Sequence, residues 1–308
     1  MNNTLYDSMA RVDFGRLRTR ETLMRIMSLL KVQRDEMLSL GDVRSILRPA
    51  SETYRGMRTV PIDKIVGSEG RFKDFNKAFL PRHDKMARRW MRVDVAHYQN
   101  LVLPPISLFE IGGVYFVRDG NHRVSVAKSQ GAEFIDAEVI SLAAKIALSP
   151  DMTREEMKRA VIDFEKKSFF EATHLDVLRP GCDISFTEVG RYDELLVHIR
   201  EHKWYINLKK AEEIPFERAA LSWYDNVYFP IVRIVRESRV LARFPRATEA
   251  DLYVYVGRHW SELIKRYGPL FTMEEAAEDF TISRRAEGIR QALRSVSGRL
   301  AALFKRRA

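Results

Sequence analysis

Cysteine is nearly missing from this chain. Its one copy, Cys182, excludes an internal disulfide and any cysteine-rich metal site. Long apolar runs are missing too. No stretch of about 18 apolar residues occurs, so no membrane-spanning helix is expected. The opening residues, MNNTLYDSMARVDFGRLRTRE, hold no apolar signal core, so secretion is not expected and the cytoplasm is the expected compartment. Internal repeats and low-complexity segments are absent. Acids are outnumbered: 42 Asp and Glu stand against 52 Lys and Arg.

What is there is the balance of a folded protein. Apolar residues make up 45% and charged residues 31% of 308 positions, enough for one large domain or two ordinary ones. The net charge of +10 admits partners that carry phosphate: nucleic acid, nucleotides or anionic lipid. The excess is uneven. From Ile282 to Ala308 there are eight Lys or Arg and one acid, Glu287, so without this tail the protein is only mildly basic.

Periodicity predicts an α+β protein in four parts. Residues 1–50 read as a helical segment, with Leu23, Ile26, Met27 and Leu30 on one face as a packing layer, and a second short helix stopped by Pro49. Residues 55–145 read as a small α/β domain. Its elements are a strand and turn at 58–66, a glycine-bounded loop with Phe72, Phe75 and Phe79 as anchors, and a helix. A hairpin follows, with strands Ile106–Ile111 and Val114–Val117 about Gly112-Gly113, then a helix ended by Gly131 and a last strand. Residues 150–275 read as mostly helical, with a Thr153/Glu156 capping box, a lone strand in DISFTEVG, a helix broken or kinked at Pro230, and a helix begun by Thr248. Residues 276–308 read as a basic amphipathic helix, with Ile289, Leu293, Val296, Leu300 and Leu303 on one face. It is expected to pack on the body, with an anionic membrane or nucleic acid as alternatives.

The densest chemistry lies at a strand-to-helix turn, YFVRDGNHRVSVAKSQG. A glycine after a strand lets the chain turn sharply and brings backbone N–H groups near a ligand. The helix that follows presents unpaired N–H groups and a partial positive charge. His122 and Arg123 add side-chain donors at the same place, and an arginine can grip two phosphate oxygens. Asp119 would orient one of these donors, hold a metal or take a proton. The plainer alternative is a turn in which Asp119 caps the helix while His122 and Arg123 are solvated.

The order strand, DGNHR, helix, strand, with VPIDKIV and LPPISLFEIGGVYFVRDGNHR upstream, resembles the N-terminal domain of the ParB/sulfiredoxin superfamily over about residues 58–142. The resemblance implies a phosphate cradle. Gly120 and the backbone of Asn121 would approach the phosphate, His122 and Arg123 would donate to it, and Asp119 would orient Arg123 or help hold Mg2+. Its implied ligand is a nucleoside tri- or diphosphate, ATP/ADP or CTP. Within the superfamily, ParB proper has an acidic residue and sulfiredoxins a catalytic cysteine where this chain has Asn121. The DGHHR of the free-serine-kinase branch is the closest match to DGNHR. The resemblance thus implies a nucleotide-binding regulator or DNA-associated protein, with a homodimer as a further expectation. A small-molecule kinase is the alternative, needing a carboxylate such as Glu69, Asp74 or Asp84 near Asp119. A non-catalytic interaction module is the third reading.

Three other patterns are better read as structure. His198 and His202 in HIREH have zinc-ligand spacing with Glu201 between them, but no third ligand is recognisable. No resident metal site is therefore expected. Trp223, Tyr224, Tyr228 and Phe229 could stack bases but suit a helix core. Asp251 and His259 lie about 12 Å apart along one helix and cannot meet.

Overall fold

The computed structural model describes residues 2–30, 36–208, 212–267 and 272–282. Two compact units divide the chain at Val161 and Ile162. The first joins the 1–50 segment to the 55–145 stretch. In order it comprises α1 (Asn2–Leu30), β1 (Leu38–Ser39), α2 (Leu40–Leu47), β2 (Glu52–Pro61), β3 (Ile65–Ser68), α3 (Ala87–Tyr98), β4 (Ile106–Ile111), β5 (Val114–Asp119), α4 (Asn121–Ser129) and β6 (Phe134–Leu142).

One mixed six-stranded sheet organises this unit, in the order β1-β3-β5-β4-β6-β2. The β4–β5 hairpin is antiparallel about Gly112 and Gly113, both at positive φ, as the tight turn requires. Parallel partners flank it, β3 beside β5 and β6 beside β4. The β2 strand starts six residues before the expected 58, because residues 52–61 pair along the whole of β6. It carries a bulge between Tyr54 and Gly56 and forms one edge. The strand and turn expected over 58–66 are both present: β2 runs to Pro61, Ile62–Lys64 form a helical turn, and β3 then joins the other side of the sheet.

Two apolar clusters fix the helices and the loop between β3 and α3. Phe75 and Phe79 are fully buried with Ile106, Leu108, Val117 and Val124, which confirms them as loop anchors. The second cluster joins α1, α3 and α4 through Phe14, Leu17, Trp90 and Val126. At the junction Trp90 Nε1 donates to Ser125 Oγ at 2.9 Å, and Ser125 donates to the carbonyl of Phe79 at 2.7 Å. This buried relay ties α3 and the loop to α4.

Of the packing layer expected from Leu23, Ile26, Met27 and Leu30, the first three are not buried among the described residues, and the side chain of residue 30 lies outside them. Those three are 57%, 51% and 54% exposed, while Ala10, Phe14 and Leu17 make the buried face of α1. The inner stripe is short and interrupted by Arg18, so periodicity favoured the outer one. Arg18 is itself an anchor, bonding Glu21, Asp84 and the carbonyl of Pro81.

Helix α5 (Arg154–Thr173) begins at the end of the first unit and continues into the second. Its capping box is formed: Thr153 N and Oγ1 both donate to Glu156, and Glu156 N donates back to Thr153 Oγ1. The second unit continues with α6 (Leu175–Leu178), α7 (Arg191–Asn207), α8 (Phe216–Trp223), α9 (Phe229–Glu237) and α10 (Glu249–Tyr267), with a last helical stretch at 273–282. The lone strand expected in DISFTEVG does not form. Ile184 and Phe186 do bury alternately, but they pack among helices, and the Ile184 carbonyl accepts from Tyr192 Oη at 2.8 Å instead of from a neighbouring strand. Pro230 interrupts the regular helix as expected. Five residues, Tyr224–Tyr228, form a π-helical turn just before it. Among the described residues no helix is long and apolar enough to cross a membrane.

Ser125→Ala should leave the Trp90 indole N–H and the Phe79 carbonyl without their partner in the core. The expected loss is about 1–3 kcal/mol of unfolding free energy, read by urea denaturation.

Candidate functional site

Strand β5 ends at Asp119 and α4 begins at Asn121, so a single residue makes the turn. Gly120 has φ 104° and ψ 22°. A Cβ there would lie 2.5 Å from Cγ2 of Ile106 and 3.1 Å from Nε of Arg123. Both the backbone angle and the space therefore require glycine. No side chain caps α4. Its first-turn N–H groups have no intrahelical partner.

Asp119 is in contact with Arg123. The two form an i,i+4 ion pair, and the guanidinium also donates to the carbonyls of Pro104 and, at 2.8 Å, Pro105. Arg123 thus locks the 104–105 connection to α4, and its side chain is only 17% exposed. Its donors are largely committed to protein, so the two-oxygen grip expected of it does not exist in this arrangement.

Asn121 and His122 are both buried, yet Asn121 Oδ1 and His122 Nδ1 have no hydrogen-bond partner among the described residues. A buried polar atom left unpaired is costly, and a pair of them at one helix start marks a place where a partner is missing. The Phe75 ring meets the His122 ring edge-on at 5.4 Å between centroids. Burial, then the Arg89 and Arg71 cations, push the His122 imidazole down to about 4, opposed by Asp74. His122 is therefore neutral at pH 7 and can present either a donor or an acceptor at Nδ1, by tautomer.

The structure adds Arg71 and Arg89 to the set. Arg71 leaves the β3–α3 loop and pairs with Asp74 at 2.9 Å. Arg89 is exposed on α3. Both lie close enough to act on His122, and neither stands near the DGNHR motif in sequence. The only signal for Arg71 was its place after Gly70 in a glycine-bounded loop; Arg89 had none. Of the three acids weighed as a catalytic carboxylate, Asp74 acts on His122, whereas Asp84 is paired with Arg18 at 2.7 Å. Glu69 is anchored through its backbone N–H to the Val117 carbonyl.

The remaining candidates resolve as structure. His198 Nδ1 faces Tyr253 Oη at 3.2 Å and His202 Nε2 faces Ser222 Oγ at 3.0 Å. No cluster of three metal-ligating side chains exists among the described residues. Trp223 and Tyr228 are core residues. Asp251 caps α10 through Thr248 and also holds Thr187, while His259 pairs with Asp279 at 2.8 Å. Burial pushes the Cys182 thiol up to about 11, which makes it a poor nucleophile. Of the expected tail helix, residues 283–308 lie outside the described residues.

No family model, curated protein or solved structure matches the chain.

Two outcomes are expected. Gly120→Ala should cost about 2 kcal/mol or more, since it adds a clash to a left-handed backbone; chemical denaturation reads it. Because the folded-state value of His122 lies below that of the unfolded chain, the unfolded state takes up a proton first as pH falls. Stability should therefore drop between pH 6.5 and about 4. His198 and His202, also lowered by burial, add to that slope with the same sign. Urea unfolding across this range should give a shallower pH dependence for His122→Gln than for the wild type.

Proposed function

We propose that the protein binds the phosphate groups of a nucleotide at the β5–α4 turn and acts as a nucleotide-responsive regulatory protein of ParB/sulfiredoxin-like type. The observation that carries this reading is the pair of unpartnered buried polar atoms, Asn121 Oδ1 and His122 Nδ1, at the uncapped start of α4. The backbone N–H groups of α4 would receive phosphate oxygens, with the helix dipole adding to the attraction. Asn121 would turn its amide to donate, and His122 would donate from Nδ1. Arg71 and Arg89 supply the positive charge expected earlier from Arg123. Arg123 and Asp119 hold the turn in shape.

A phosphotransferase would need a carboxylate free to accept a proton. Asp119 pairs with Arg123 and Asp74 with Arg71, so each carboxylate is already engaged by a guanidinium. With both carboxylates so engaged, binding is favoured over transfer. DNA as a partner of this regulator rests on the basic sequence of the tail.

The test is thermal unfolding with ATP, ADP, CTP, GTP and pyrophosphate, each with and without magnesium. A ligand at a hundredfold excess over its Kd stabilises by about 2.7 kcal/mol, a rise in Tm of about 5 °C or more. The rise should shrink in Arg89→Ala and in Arg71→Ala, whose exposed side chains leave the fold intact. Which base gives the larger shift assigns the nucleotide. A wild-type Tm unmoved by every one of these ligands overturns the reading.

A further inference from the structure

Helix α1 carries two apolar faces, and among the described residues only one of them is covered. The inner face, Phe14 and Leu17, packs on Trp90 of α3. On the opposite side Leu5, Met9, Val12, Leu23, Ile26 and Met27 are exposed, between 38% and 60% each. Isolated exposed apolar residues are ordinary, but six on one stripe of a 29-residue helix are not.

The spacing of this stripe identifies its occupant. Positions 5, 9, 12, 16, 19, 23, 26 and 30 alternate by four and three, the repeat of a coiled-coil seam. The series is also palindromic about the midpoint between residues 17 and 18. Laid antiparallel on a copy of itself, α1 sets Leu5 against position 30, Met9 against Ile26, Val12 against Leu23, and Arg16 against Thr19. From 9 to 26 every apolar position meets an apolar one, and the two polar positions meet each other. A parallel pairing would instead bring Arg16 against Arg16 in one layer, a like-charge contact. Antiparallel pairing also brings Arg20 of one copy within about 3 Å along the axis of Asp13 of the other, whose carboxylate pairs with Arg16 and accepts from Tyr98 Oη in its own chain, so the charges flanking the seam are of opposite sign. Near the midpoint lies Gly15, whose missing side chain would touch nothing within 4 Å, so a second backbone has room to approach.

We propose that the protein is a homodimer built on a two-fold antiparallel pairing of α1 through this outer stripe. The interface is isologous, each residue meeting its own complement. It buries ten large apolar side chains, Leu5, Met9, Val12, Leu23 and Ile26 from each copy, along two helices each about 43 Å long. It does not depend on the phosphate reading of the β5–α4 turn.

The test is sedimentation velocity of the full chain over a concentration series, beside the variant Val12→Glu/Leu23→Glu. Both substitutions are at exposed positions, so far-UV circular dichroism of the variant should match the wild type. The wild type should have twice the monomer mass and the variant the monomer mass. Register is checked by oxidation in a Cys182→Ser background. Val12→Cys mixed with Leu23→Cys should form a disulfide-linked dimer. Val12→Cys alone should not, because the two copies of residue 12 lie about 16 Å apart along the axis. A wild type that is monomeric at every concentration overturns the proposal and leaves the stripe to a foreign partner. A variant that remains dimeric overturns it as well, and so does self-crosslinking of Val12→Cys.

Discussion

The first unit turns on a steric constraint at Gly120. A strand and a helix meet across one residue whose absent side chain is replaced by Ile106 of the neighbouring strand. That contact fixes how closely α4 approaches β4. Once α4 is seated there, Arg123 reaches the carbonyls of Pro104 and Pro105, and Asp119 closes the pair from the end of β5. On the next turn Ser125 meets Trp90 and the β3–α3 loop. One backbone angle thus orders a turn, a connection, a loop and a helix.

The electrostatics of the turn are local, not a matter of net charge. Arg71 and Arg89 come from different elements to act on one imidazole, and burial keeps that imidazole uncharged. The place is positive yet holds a neutral histidine and an unpaired amide. Such a set suits a ligand that brings negative charge and several acceptor oxygens together. Arg123, the residue that the motif itself singles out, ties α4 to Asp119 and to the carbonyls of Pro104 and Pro105.

Features governed by near neighbours were legible in the sequence. The Gly112-Gly113 hairpin, α4 bounded by Gly120 and Gly131, the Thr153/Glu156 box and the Thr248 cap all depend on residues within a few positions. What escaped depends on partners far along the chain. Glu52 to Met57 hold no alternating apolar pattern and become strand because β6 lies alongside. Ile184 and Phe186 alternate like a strand but meet no strand, since helices occupy their surroundings. Arg71 and Arg89 join the site through the fold of a loop and a helix, which no local pattern encodes. On α1, periodicity found a real apolar stripe and assigned it to the wrong side of the helix.

The long edge strand β2 has a consequence for solubility. It exposes Tyr54 and Met57 at 64% and 54% on an unpaired sheet margin, the usual template for sheets to extend from one molecule into the next. Its ladder is broken by the bulge at Gly56, where φ is 70°, and it is flanked by Arg55 and Arg58 and closed by Pro61, which offers no N–H. A straight incoming strand could match the register for only a few residues before meeting a kink or a positive charge. The same irregularities that hid this strand from a reading of the sequence protect the folded protein against fibril-like growth at high concentration.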